Sequence, residues 1–193
     1  IQELLHPESD SRIYEEASEQ LRSADYTTQG LLTKMNVALI CTTDRPLDNL
    51  AAHRSMAQQS APFQMFPTFR PDEAIAIEDL NTFNSFVDAL ATHTKTEIHQ
   101  LEDYLSALKL RHEHFANHGC RLSDHGLPHL YACSYTQKDI KHIFAKLRAG
   151  MAATPKEIDQ FKSALLVHMA RWDYDKGWVQ QYHLGAFRNI NSR

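Results

Sequence analysis

No run in this sequence approaches the ~18 consecutive apolar residues that a membrane-spanning helix needs, so it offers no candidate transmembrane helix. Cysteine is scarce. Cys41, Cys120 and Cys133 are odd in number and lack metal-type spacing, which argues against both a disulfide scaffold and a zinc motif. They fit a reducing, cytoplasmic compartment, with Cys41 and Cys120 expected as inert core thiols inside strands. The 20 basic residues, against 24 acidic ones, are dispersed and leave a net charge of −4. A nucleic-acid partner would need them clustered on one face. No internal repeat or low-complexity tract occurs. The 12 histidines are scattered. The one His-x-His string, His112 and His114, lies in a helical stretch where two residues are roughly 200° apart, so the pair cannot chelate together.

What is present is an ordinary globular composition, 42% hydrophobic and 23% charged over 193 residues, enough for one substantial core. Helices are expected at about Ser11 to Leu21, with Ile13, Tyr14, Ala17 and Leu21 on one face, and at about Thr28 to Met35. Val37 to Cys41 reads as a buried strand. Asp44 then reads as the cap of a helix with Pro46 in its first turn, reaching about Gln59. A second strand covers Gln64 to Phe69 and ends at Arg70. From Ala74 to His118 apolar residues recur at helical spacing, and Leu101, Leu105, Leu108, His112 and Phe115 alternate like a coiled-coil seam. Arg121 to Ser123 reads as a third strand. Capping boxes at Thr136/Asp139 and Thr154/Glu157 open two further helices, the second with Pro155 at its first position. Gly177 stops the last helix before a strand from Val179.

Alternating strands and helices argue α/β with parallel pairing, and four such units are half of a (β/α)8 barrel. The expected organisation is barrel units over 1–73, an inserted helical hairpin over 74–118, and further barrel units over 119–193. Asp44, Arg70, Asp124 and His183 all fall at or just past strand ends, the rim that carries chemistry in such barrels. Adjacent residues on a strand point to opposite sides. Of Asp124 and His125 only one can face a substrate, and Asp124 is favoured; the plainer alternative is that it caps a following helix. In the last strand Val179, Gln181 and His183 share one side, and Gln180, Tyr182 and Leu184 the other.

That last strand and its loop, VQQYHLGAFRNINSR, resemble the strand-plus-loop signature of the uronate isomerases, a branch of the amidohydrolase superfamily, with Leu184, Phe187 and Ile190 as departures. Three further segments resemble that family in its own order. NVALICTTDRP (Asn36 to Pro46) is similar to the strand leading to its Thr-Thr-Asp turn, with Arg45 in place of a usual acid. FPTFRPDEA (Phe66 to Ala74) is similar to its Pro-x-x-Arg-Pro-Asp segment, and GCRLSDHGL (Gly119 to Leu127) to its Ser-Asp-His strand end.

The resemblance implies strands two to five of a TIM barrel, read as an excised internal segment since the family's enzymes are more than twice this long. It implies an aldose–ketose isomerase interconverting hexuronates: D-glucuronate with D-fructuronate, D-galacturonate with D-tagaturonate. Asp124 and His183 are then the candidate catalytic residues. Arg70 and Arg188 are the candidates for binding the substrate carboxylate, since a guanidinium forks onto a carboxylate bidentately. His183 corresponds to a strand that supplies a metal ligand in many amidohydrolases, and a divalent metal such as zinc is implied for the complete enzyme. No complete metal site and no bound cofactor are expected in this segment, which is expected to be inactive by itself. Two alternatives stand beside this reading: an oligomerisation module working through the hairpin, and a fragment of a metal-dependent hydrolase. A homo-oligomer is expected in either isomerase reading.

Overall fold

The computed structural model describes residues 3–185; Arg188 lies outside the described residues. Along them run α1 (Asp10–Leu21), α2 (Thr28–Lys34), β1 (Leu39–Asp44), α3 (Ala51–Ala57), β2 (Gln64–Phe69), α4 (Leu80–Thr94), α5 (Leu101–Asn117), β3 (Leu122–Leu127), α6 (Gln137–Arg148), α7 (Pro155–Lys176) and β4 (Val179–Leu184). Single 3-10 turns occupy Ala24–Tyr26 and Asp72–Ile75. The strands form one sheet in chain order, β1-β2-β3-β4. β2 with β3 and β3 with β4 are parallel, Phe69 standing opposite Ser123 and Leu122–Leu127 opposite Val179–Leu184. Gln64 N donates to Ala38 O and Arg70 N to Asp44 O, so β1 and β2 advance together too. Parallel neighbours joined through helices are the βα units of a partial TIM barrel.

The chain divides into two units, one made of the stretch to Ile40 with Ala52–Met65, the other of Cys41–Ala51 with the residues from Phe66 onward. In the first, α1 buries no residue; Tyr14 and Leu21 of its expected apolar stripe are 75% and 61% exposed. Thr27 caps α2 by accepting from Gly30 N. Gly30 is required there: a Cβ on it would stand 2.5 Å from the Ala24 carbonyl oxygen.

The second unit carries the main core. α4, α5, α6 and α7 share it around Phe83, Tyr104, Phe144 and Phe161, all fully buried. Phe83 meets the other three edge-on at 5.8–6.4 Å between ring centroids. Each such ring contributes on the order of 1.5–3 kcal/mol by leaving water. The buried Tyr104 hydroxyl donates to Ala74 O at 2.7 Å, so its polar end is satisfied. Leu101, Leu108 and Phe115 of the coiled-coil-like stripe lie inside this unit at 2% exposure or less. The stripe therefore packs within its own chain and is not left for a second copy.

Three further expectations are corrected. β1 begins at Leu39 and runs through Asp44, and the following helix begins at Ala51 instead of Pro46. The reason is that Asp44 accepts from Thr42 Oγ1 (2.6 Å) and Thr68 N (3.2 Å), so its carboxylate serves the sheet, while Asp48 closes the turn by accepting from Arg45 N. β3 continues to Leu127, which places Asp124 inside the strand and removes its helix-cap alternative. Cys41 is exposed on the face of β1 that it shares with Leu39 and Thr43, whereas Cys120 is buried and its thiol pushed up to about 11 by desolvation.

Candidate active site

Strand alternation decides which side chains meet. Phe69 turns toward the helices, with Phe115 and His112 edge-on at 5.1 and 5.4 Å, so Arg70 emerges on the opposite face. In β3, Ser123 and His125 face the helices and Asp124 faces away. In β4, Gln180 and Tyr182 face the helices while Gln181 and His183 share the face of Asp124. Gly126 stands opposite His183 and adds no side chain beside it.

On that face the structure brings Arg70, Asp124 and His183 together. Arg70 Nη1 lies 3.3 Å from Asp124 Oδ2, and His183 Nδ1 lies 2.7 Å from Asp124 Oδ1. The Asp124 side chain is 6% exposed, that of His183 47%. The His183 contact is close but out of line for a hydrogen bond, so among the described residues no donor points at Asp124 Oδ1. Gln181 Nε2 reaches His183 Nε2 at 3.2 Å.

Asp72 belongs to the same cluster. Its Oδ2 accepts from Arg70 Nε at 2.8 Å, and both its oxygens receive Gly126 N, at 3.1 and 3.3 Å. The loop after β2 is thereby tied to β3, with Arg70 held between two carboxylates. The hydrogen bond to Asp72 raises the Arg70 pKa and the charges of Asp72 and Asp124 add to it, against partial burial. Asp72 was not among the residues singled out from the sequence. Its signal was there, two residues after Arg70 in the same FRPD run.

Among the described residues no group of three or more His, Cys, Asp or Glu side chains is placed to hold a metal ion. Asp124 and His183 are two donors, short of the three or four protein ligands that zinc-type sites use. The described residues do not make a metal site.

The family model described as glucuronate isomerase matches residues 1–193. The chain belongs to the glucuronate isomerase family. It is 44% identical over 191 residues to a uronate isomerase of Cellvibrio japonicus, covering 98% of this chain and 41% of that protein. It is 39% identical over 193 residues to a uronate isomerase of Bacteroides fragilis, covering all of this chain and again 41% of the relative. The crystal structure of uronate isomerase from Thermotoga maritima superposes with a TM-score of 0.91 at 30% identity, over 99% of this chain and 42% of the other. That of glucuronate isomerase from Caulobacter crescentus gives 0.87 at 25% identity, over 98% and 39%. The chain thus spans about two fifths of the length of the curated relatives it matches.

Proposed function

We propose that this chain is the segment of a uronate isomerase that supplies four consecutive barrel strands and part of the site, the whole protein interconverting aldo- and keto-hexuronates. The proposed pairs are D-glucuronate with D-fructuronate and D-galacturonate with D-tagaturonate. The observation that carries the reading is the Arg70–Asp124–His183 cluster on one face of the parallel sheet. Isomerisation moves a proton between carbon 2 and carbon 1 of a substrate with a permanent carboxylate. It needs a fixed cation, an acid–base group and an acceptor that orients the sugar.

Arg70 supplies the cation. Its Nε and Nη1 face Asp72 and Asp124, and among the described residues Nη2 takes part in no hydrogen bond or ion pair, which leaves that end for the substrate carboxylate. Asp124 Oδ1, buried with no donor aligned on it, suits a sugar hydroxyl. His183, half exposed, is the group that can take up or deliver a proton beside it. Arg188 is kept as a second carboxylate ligand. A divalent metal such as zinc is proposed for the whole protein with His183 as the candidate ligand here; the ligand set falls short of holding it, and no step is assigned to it.

With this reading go a cytoplasmic location, in keeping with three free cysteines, and self-association. No helix of the described residues is long and apolar enough to cross a membrane. The test is an assay of the full-length protein on D-glucuronate and D-galacturonate, beside the 193-residue segment. Turnover by the first and none by the second is expected. Hydrolysis of esters or amides in place of isomerisation would overturn the reading.

A further inference from the structure

The face of the sheet turned away from Arg70 and Asp124 holds a polar network that the isomerase chemistry does not use. Asp173, near the end of α7, is fully buried, and its two oxygens collect donors from three other elements. Oδ1 meets His112 Nε2 of α5 at 2.9 Å; Oδ2 accepts from Ser123 Oγ of β3 at 2.7 Å and from Gln180 Nε2 of β4 at 3.0 Å. Beyond them His125 Nε2 lies 3.2 Å from Ser123 Oγ, Tyr182 donates to Gln180 Oε1 at 3.4 Å, and the His125 and Tyr182 rings stack at 5.0 Å. Ser, His and Asp within reach of one another resemble a hydrolase's catalytic set, but Ser123 is 1% exposed and has no route to a substrate.

Ser123 and Gln180 are register partners, and so are the next two residues, Asp124 and Gln181. We propose that Asp173 is a positioning residue. By clamping Ser123 and Gln180 from the helix side, it fixes the height of Asp124 on β3 and of His183 on β4 across the sheet. The alternation of strands makes this possible: a side chain held on one face sets the backbone from which the next side chain leaves on the other. One carboxylate receiving two buried donors, His112 and Ser123, and a half-buried third, Gln180, is a stiff anchor, since a change at it leaves donors unpaired in the interior.

The inference rests on the isomerase reading for its kinetic readout alone. In the full-length protein, Asp173→Asn keeps the volume and sets a donor against donors, while Ser123→Ala removes one strand from the clamp. Imidazole resonances of His183 are followed by NMR under conditions where each variant is folded, with His93, exposed on α4, as control. The His183 signals are expected to move in both variants and those of His93 to stay. On D-glucuronate, kcat is expected to fall about 10- to 100-fold, the scale of a displaced reacting group, with KM within about threefold. Unmoved His183 signals in the folded variants, or a loss confined to KM, would overturn the proposal. Should Asp173→Asn fail to fold, Ser123→Ala decides by the same measurements. A wild-type protein inactive on hexuronates would count against the functional reading, and the His183 signals would still decide the clamp.

Discussion

Arg70 sits where two demands meet, a loop to be tied down and a carboxylate to be neutralised, and the proposed function adds a third, a substrate carboxylate to be held. Asp72 meets the first, and its removal frees both the guanidinium and Gly126 N. Losing one charge-assisted hydrogen bond to a substrate costs about 1.5–3 kcal/mol, roughly a factor of 10 to 150. Arg70→Met is therefore expected to lower kcat/KM on D-glucuronate by about that factor, mostly through KM. Asp124→Asn is expected to lower kcat. Steady-state kinetics on both variants separates the two; equal effects on kcat and KM from either would contradict the roles assigned. Behind the sheet, burial lowers the pKa of His125 below its ordinary 6.5. The unfolded chain then binds a proton near 6.5 that the folded one refuses. Stability is complete above about 6.5 and declines as pH falls toward the depressed folded value. The urea midpoint is expected to drop between pH 7.5 and 5.5, and His125→Phe, which keeps a ring against Tyr182, is expected to flatten that slope.

Helix starts were legible because their chemistry is local. Thr136 and Asp139 form a capping box on α6, and Thr154 and Glu157 another on α7, each closed within three residues. Thr136→Ala and Thr154→Ala are each expected to cost about 1 kcal/mol, read as a shift in the denaturation midpoint. Glu157 also accepts from Lys146 at 2.7 Å, and its pKa is lowered to about 2, first by that hydrogen bond. Its contribution is present above its ordinary 4.5 and is lost as pH falls toward 2, a window separate from that of His125. What failed to read locally was set by distant partners. Asp44 resembled a helix cap because its actual donor, Thr68 N, lies 24 residues away. Arg121 to Ser123 read as a short strand, yet β4 pairs with every residue from Leu122 through Leu127, partners more than fifty residues away in sequence. The face carrying Arg70, Asp124 and His183 was readable from alternation once strand ends were known. Asp173 was not: a lone Asp on a long helix carries no sign of the three donors that converge on it.

At the scale of the whole molecule, the sheet of the described residues ends in β1 on one side and β4 on the other. Unpaired strand edges offer N–H and C=O groups to another chain, and Leu39, Val179 and Leu184 on these strands are 50%, 67% and 50% exposed. The coiled-coil-like stripe of the hairpin is not open to a second copy, since it lies within the chain's own core. Two variants tell these surfaces apart. Leu101→Asp with Leu108→Asp places unpaired charges among Phe83, Tyr104 and Phe144, at a cost of several kcal/mol each; loss of cooperative unfolding by circular dichroism is expected. Val179→Lys puts a charge on an exposed edge strand and is expected to leave the helical signal intact while weakening self-association. Light scattering on the segment at low micromolar concentration supplies the readout: particles larger than a monomer for the unmodified chain, shifted toward monomer by Val179→Lys. A monomer from the outset, or a dimer that Val179→Lys leaves untouched, would show that the strand edges do not drive association.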